Sequence, residues 1–219
     1  MPVPPVGVPS NLVEVLEHLA SDGLVAFPTE TVWGLAARAE SRIAVERLRA
    51  FKGRTEEQPI SILIDGPRTL GRFGVSPTPL LSAVVEAFWP GPLTLVATAA
   101  ADARFASGIV GPAGAVGFRC SDHPLAALLV REALGRGLGP LTATSFNRGG
   151  ETPVRTHSQA VLLAKSDASH AVIVLHCGAQ DAFAQAPSTV LDLAGPEPRV
   201  LRWGAVPQEA LAPLLDRFR

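Results

Sequence analysis

The sequence predicts an α/β fold with a mainly central, mixed sheet. Predicted strands and helices alternate along most of the 219 residues, and this alternation is typical of a sheet that helices cover. The last two predicted strands, at 189–193 and 199–203, have no helix between them, which favours an antiparallel pair. Hydrophobic residues make up 47% of the chain and charged residues 18%, so the chain has a globular composition and can bury one sizeable core.

The first elements follow from apolar runs and their end signals. Asn11 and Glu14 have the spacing of a capping box at the start of a helical leucine stripe, and Gly23 is the predicted C-cap. Four apolar residues at 24–27 predict a buried strand, which Pro28 ends because proline has no N–H for the ladder. The next predicted elements are a helix from Ser41 to near Gly53, a strand at 60–64, a helix at 79–88 and a strand at 93–98.

The second half continues the alternation after a polar, loop-like run at 102–114. A strand is predicted at 115–120, and Pro124 suits the first turn of a helix that His123 precedes. The remaining predicted elements are a strand at 140–145, a helix near 157–165, a strand at 171–176, the two late strands, and an amphipathic helix from about Gln208. The chain has no repeat and no convincing linker, so we expect a single domain over 1–219.

Charge and cysteine content exclude several classes of protein. The net charge of −1 gives no global field towards nucleic acid or membrane, so any anion site must come from local clustering. No apolar run of 18 residues occurs, and residues 1–9 lack the features of a signal peptide. Cys120 and Cys177 form no CxxC motif and are interpreted as reduced core thiols of a cytoplasmic protein. HExxH, GxSxG and Walker A motifs are absent, so we expect neither a metal site nor a nucleophilic hydrolase.

The stretch at 28–34, PTETVWG, places polar groups just beyond the carboxyl end of the first strand. Two hydroxyls, of Thr29 and Thr31, stand there with a carboxylate and an indole. Ligands bind at this position in open α/β sheets. An ordinary strand-to-loop exit with turn-forming residues would have the same composition, so this stretch alone does not settle its role.

Two further stretches allow both a structural and a functional interpretation. Lys52-Gly53-Arg54 is either a helix end with two cations favoured by the helix dipole, or a pair of cations that converge on a polyphosphate. Ser145 and Asn147, which precede two adjacent glycines, form either a self-bonded turn or a polar loop that approaches a nucleotide.

Single polar residues also interrupt the later strands. Arg119 lies in the apolar strand AVGFRC and needs a carboxylate partner, from the protein or from a ligand. Ser188 begins one late strand, and Arg202 ends the next. Taken singly, each of these two residues fits a polar position at the edge of a strand as well as a position in a functional site.

Together these pieces resemble the YrdC-like domain family of L-threonylcarbamoyladenylate synthases. PTETVWGL, KGR, TSFN, PSTVLD and LRWG occur in the family's order and spacing, and the resemblance covers about residues 10–206. It implies a YrdC-like (RibB-like) fold, that is, a twisted open mixed sheet flanked by helices around a concave, positively charged cleft. It also implies the short, single-domain form of the family.

The resemblance implies a nucleotidyltransferase that joins L-threonine, bicarbonate or CO₂, and ATP into threonylcarbamoyl-AMP and pyrophosphate. Mg²⁺ would be carried mainly by the ATP phosphates. A separate transferase complex would then pass the threonylcarbamoyl group to tRNA, which leaves room for weak direct binding of tRNA. An RNA-binding module with the same basic cleft and no chemistry is the alternative, and a carbamoyl-transfer domain that uses carbamoyl phosphate is a third possibility.

Site residues carry over from the family's motifs to matching positions. The resemblance assigns to the threonine side the residues Thr29, Thr31, Arg119 and Ser188. It assigns to the nucleotide side Lys52, Arg54, Ser145, Asn147 and Arg202, with Lys52 and Arg54 as the predicted catalytic cations. No protein ligand to a metal is implied.

The chain departs from the family's pattern at four positions. Trp33 replaces the usual tyrosine, Thr55 the proline after KxR, Phe146 the alanine of SxN, and Trp203 the proline of RPG. Trp33 and Phe146 would put large side chains in or beside the predicted pocket and could alter the choice of substrate.

Overall fold

The computed structural model describes residues 8–53, 59–167, 169, 171–176 and 186–218. Its helices are α1 Leu12–Ala20, α2 Arg42–Lys52, α3 Pro79–Phe88, α4 Pro124–Gly135, α5 His157–Lys165 and α6 Gln208–Asp216. Its strands are β1 Leu24–Phe27, β2 Gly34–Ala36, β3 Ser61–Leu63, β4 Leu93–Thr98, β5 Ala115–Arg119, β6 Leu141–Ser145, β7 Val172–Val174, β8 Thr189–Asp192 and β9 Arg199–Arg202. Within these ranges, no helix combines the length and apolar character that crossing a membrane requires.

The strands form one mixed, twisted sheet in the order β7-β1-β2-β6-β3-β5-β4-β8-β9. The parallel pairs are β1/β7, β3/β5 and β4/β8. The antiparallel pairs are β1/β2, β2/β6, β3/β6, β4/β5 and β8/β9. The mixed sheet and the antiparallel pairing of the last two strands confirm the predicted fold class.

Helices cover both faces of the sheet, and the strands alternate between two hydrophobic clusters. The side chains of α1 and α4 pack in one cluster with Val25 and Leu63. The side chains of α2, α3, α5 and α6 pack in the other, which includes Ala26 and Ile62. Neighbouring strand residues therefore face opposite sides, as the two-residue period of a strand requires.

The helix starts behave as predicted at Ser41 and His123 but not at Asn11. Ser41 accepts a hydrogen bond from the Ala44 backbone N–H at 3.2 Å, and His123 Nδ1 accepts one from the Leu125 N–H at 3.2 Å. Asn11 makes no capping bond with its side chain. Its amide instead donates to the Val174 carbonyl at 2.9 Å and accepts from the His176 N–H at 3.0 Å, so the predicted capping box is wrong and Asn11 ties α1 to β7.

Two local features differ from the expectations. The residue after the C-cap of α1 that takes a left-handed backbone (φ 62°) is Asp22, not the predicted Gly23. The strand β2 is not anticipated by the sequence, because it has three residues and no alternation of polar and apolar side chains. It pairs antiparallel with β1, and a Cβ on Gly34 would lie 2.5 Å from the Phe27 ring, so only glycine fits this close approach.

Candidate active site

A cavity of about 660 Å³ lies over the face of the sheet that carries α1 and α4, beside those helices. This volume is within the usual range of small-molecule sites. Mostly alternate strand residues form its floor, which includes Ser61 and Leu63 of β3, Thr94 and Val96 of β4, Gly117 and Arg119 of β5, Ala143 and Ser145 of β6, and Val190 and Asp192 of β8. Thr144 of β6 also lines the cavity. The intervening residues Ile62, Leu95 and Phe118 belong to the core on the opposite face.

Six of the predicted site residues line this cavity, although they come from five separate stretches of the chain. They are Thr29, Thr31, Arg119, Ser145, Ser188 and Arg202. The fold therefore brings the predicted threonine side and part of the predicted nucleotide side to one place. The role of each residue stays a prediction.

The loop after β1 is held by its own threonine hydroxyls. Thr29 Oγ1 accepts from the Thr31 N–H at 3.1 Å and donates to the Val32 carbonyl at 2.6 Å. Because the hydrogen of this hydroxyl is used there, the 3.0 Å contact between the two side chains must be donated by Thr31 Oγ1. The hydroxyl of Thr29 is thus engaged within the loop, whereas Thr31 Oγ1 still accepts from Arg119 Nη2 at 3.3 Å.

Arg119 finds a protein carboxylate, as one of its two interpretations predicts. Its Nη2 donates to Glu30 Oε1, and Ser121 Oγ donates to the other oxygen of the same carboxylate. The Arg119 side chain is 9% exposed and that of Glu30 is 15% exposed. The Glu30 pair offsets much of the cost of burying the guanidinium, while Arg119 keeps a place on the cavity wall.

Cys120 follows Arg119 and is buried and free. Burial first, and then the nearby charges of Asp65 and Glu30, raise the pKa of its thiol to about 11. We expect Cys120 in a Cys177→Ala protein to resist alkylation by iodoacetamide at pH 8 and to react once the chain is unfolded in urea, because the thiolate is the reactive form. Mass spectrometry at increasing pH checks this, and rapid alkylation of the native protein at pH 8 would contradict it.

Arg202 also lines the cavity and holds the residue that precedes β8. Its Nε and Nη2 donate to the Ser188 carbonyl at 3.1 and 2.9 Å, and Nη2 also donates to Ser188 Oγ at 3.1 Å. Ser188 Oγ lies 2.8 Å from Thr94 Oγ1. The hydroxyls of Ser188 and Thr94 thus lie between Arg202 and Arg119, which is the register partner of Thr94 on the neighbouring strand.

Lys52 does not line the cavity. Its side chain is fully buried, and Nζ donates to the carbonyl oxygens of Ser145 and Asn147 and to Asn147 Oδ1, the last two at 3.1 Å. Asn147 is also buried, and its Oδ1 accepts from Ser145 Oγ at 2.6 Å. In this conformation Lys52 and Asn147 support the segment that carries Ser145, and their predicted contact with the nucleotide stays a prediction. Gly53 has the predicted C-cap geometry, with φ 60°.

The departures from the family's pattern differ in their surroundings. Trp33 is buried and lines the cavity, so a large side chain does stand there as expected. Phe146 does not reach the cavity, because it is buried in the core and stacks on Phe51 at 5.5 Å between ring centroids. Trp203 is 46% exposed. Arg54 and Thr55 lie outside the described residues.

The sequence prediction assigned no role to four polar residues near the site, namely Glu30, Thr94, Ser121 and Asp192. Glu30 accepts a hydrogen bond from Arg119, and Ser121 donates one to Glu30. Thr94 and Asp192 line the cavity. Glu30 had a usable signal, since the buried Arg119 needs a carboxylate. Thr94 had none, because threonine is an ordinary strand residue.

Comparison with known proteins places the chain in a family. Residues 17–204 match the Sua5_yciO_yrdC family, described as "Telomere recombination". The chain is 36% identical over 154 residues to the threonylcarbamoyl-AMP synthase of Halorhodospira halophila, across 70% of this chain and 77% of that protein. It superposes with a TM-score of 0.79 on P. abyssi Sua5 complexed with L-threonine, at 28% identity over 93% of this chain and 56% of that one. E. coli YciO, at 18% identity over 91% of both chains, has the same fold with a TM-score of 0.72.

Proposed function

The chain belongs to the Sua5_yciO_yrdC family, and we propose that it is an L-threonylcarbamoyladenylate synthase. The observation that carries the proposal is the convergence of six residues from five stretches on one cavity, with Arg119 and Arg202 among them. The similar H. halophila protein is named threonylcarbamoyl-AMP synthase, and the similar Sua5 structure holds L-threonine. The chain spans about half the length of that Sua5 protein, 56%.

In the proposed reaction, the free amine of threonine attacks the carbon of CO₂ and loses a proton, which forms a carbamate. A carbamate oxygen then attacks the α-phosphorus of ATP, and the bond to the β-phosphate oxygen breaks and releases pyrophosphate. No protein nucleophile is needed, so positioning and charge stabilisation carry the catalysis. Arg119 would hold the amino-acid carboxylate, and Arg202 and Ser145 would hold the nucleotide.

Among the described residues, no group of three or more His, Cys, Asp or Glu side chains could bind a metal ion. Asp192 is the acidic side chain among the described residues of the wall. This donor set fits a Mg²⁺ ion that ATP phosphates would hold, and Asp192 would be the carboxylate of the described wall available to it. The ion would neutralise phosphate charge.

The proposed product is an activated acyl-adenylate, which a separate tRNA threonylcarbamoyl transferase complex would consume. The cytoplasm is the expected location, since the proposed acceptor is tRNA. Arg119 and Arg202 line the cavity together with Asp192, and the positive charge of the cleft stays a prediction.

The proposal predicts that pyrophosphate release from ATP requires both L-threonine and bicarbonate. The test omits each substrate in turn and measures pyrophosphate with a coupled assay, and it identifies the product by mass spectrometry. ATP turnover that is unchanged without threonine would contradict the proposal. Salt-sensitive tRNA binding without any pyrophosphate release would instead support the RNA-binding alternative.

A further inference from the structure

Thr94 lies on the cavity floor, between two residues with a predicted role. On the adjacent antiparallel strand its register partner is Arg119, and directly opposite residues place their Cβ atoms about 5 Å apart. On its other side, Thr94 Oγ1 lies 2.8 Å from Ser188 Oγ. All three side chains line the cavity, and all three residues are buried to more than nine-tenths.

The hydroxyl pair has one hydrogen more than it uses internally. Ser188 Oγ already accepts from Arg202 Nη2 at 3.1 Å. Each hydroxyl carries one hydrogen, and a single one serves the bond between Thr94 and Ser188. Whichever hydroxyl donates in that bond, the hydrogen of the other is available to an acceptor in the cavity.

Arg119 also holds a hydrogen-bond donor that has no acceptor among the described residues. Its Nη2 is engaged by Glu30 and Thr31, but Nε is buried and has no hydrogen-bond partner among the described residues. A buried donor without an acceptor is costly, and a ligand that accepts from it removes that cost. Arg119 and the Thr94–Ser188 pair thus each hold a donor without an acceptor among the described residues, and all three side chains line the cavity.

We propose that Thr94 is a substrate-positioning residue, which acts with Ser188 as one hydroxyl unit that donates to the carboxylate of the amino acid opposite Arg119. The inference rests on the proposed function, because it takes L-threonine as the ligand. A carboxylate suits this place, since its two oxygens accept several hydrogen bonds and carry the charge that two nearby guanidiniums favour.

Thr94→Val tests the proposal, because valine keeps the shape and removes the hydroxyl. We expect the dissociation constant for L-threonine, measured by calorimetry, and the KM for threonine to rise about tenfold, which is about 1.4 kcal/mol, while the KM for ATP changes little. Thr94→Ser restores the hydroxyl and should return both threonine constants close to wild type. 1-Amino-2-propanol, which is threonine without its carboxylate and so lacks the proposed acceptor, should bind Thr94→Val and wild type with similar affinity.

Two further variants separate this role from a structural one. Thr98→Val is the matched control, because Thr98 is exposed on the same strand and does not line the cavity; its threonine constants should not change. Ser188→Ala should weaken threonine binding, and the double variant Thr94→Val/Ser188→Ala should bind little worse than either single variant, since the two residues act as a unit.

Wild-type affinity for threonine in a folded Thr94→Val protein would overturn the proposal, as would a lower melting temperature with both KM values unchanged. So would a wild-type protein that binds no threonine. If the wild type binds threonine but releases no pyrophosphate, the synthase proposal fails, and the binding constants still decide the role of Thr94.

Discussion

Replacing Lys52 with methionine is expected to lower the free energy of unfolding by about 3 kcal/mol or more, because buried acceptors that lose their donor cost about 1–3 kcal/mol each. The ammonium is fully buried and serves oxygens of Ser145 and Asn147. Methionine fills a similar volume but donates nothing. The oxygens of this segment would then lack the donor that holds them together.

The Lys52→Met protein should also lose activity, because Ser145 on the cavity wall would lose its support. Urea denaturation and the KM for ATP measure the two effects, and Lys165→Met is the control, since Lys165 is exposed on α5. Wild-type stability with a raised ATP constant would contradict this expectation and favour direct phosphate binding. Arg54→Ala should weaken ATP binding without destabilising the fold, as the resemblance predicts for that position.

Replacing Arg119 with lysine is expected to raise the apparent threonine constant about tenfold or more, since about 1.4 kcal/mol corresponds to one decade. Lysine keeps the charge but loses the planar fork that meets a carboxylate at two points. The ATP constant should change far less. The protein should also be less stable, because Glu30 loses a guanidinium that it pairs with in a buried position.

Arg38→Lys provides the matched comparison for this substitution. Arg38 also pairs with a carboxylate, that of Asp22 at 3.4 Å, and it does not line the cavity. Its replacement should leave the threonine constant unchanged. Steady-state kinetics with each substrate varied, together with thermal melting, decide the outcome: a loss of stability in Arg119→Lys with both substrate constants unchanged would limit Arg119 to its ion pair with Glu30.

Most strands were predictable because each is a short apolar run between proline or glycine residues, as at Leu93–Thr98 after Pro92. The strand β2 was not, since its place in the sheet comes from packing of Gly34 under Phe27, a contact that no local pattern encodes. The capping box predicted at Asn11 was wrong for a similar reason. Its amide serves the backbone of residues 174 and 176, far along the chain, where a capping pattern predicts a local bond.

The same distinction holds for the candidate site. Residues at strand ends, such as Thr31 and Ser188, were predictable because the edge of the sheet positions them. Lys52 was ambiguous, since a cation at the end of a helix looks the same in sequence whether it faces a phosphate or, as in this structure, backbone carbonyls. Phe146 was expected beside the pocket, but the period of two places it on the core side.

The alternating floor of the cavity makes substrate range and folding separately adjustable along the same strands. Variation at Val96 or Ala143 alters the surface that meets the ligand, whereas Leu95 and Phe118 hold the sheet to its helices. A library of variants confined to these cavity-facing positions would alter which amino acids bind while leaving the core packing, and so the free energy of unfolding, largely unchanged. Insertion of one residue into β4 or β5 would exchange the cavity-facing and core-facing side chains beyond it. The ligand-binding surface and the packing of the sheet would then be lost together.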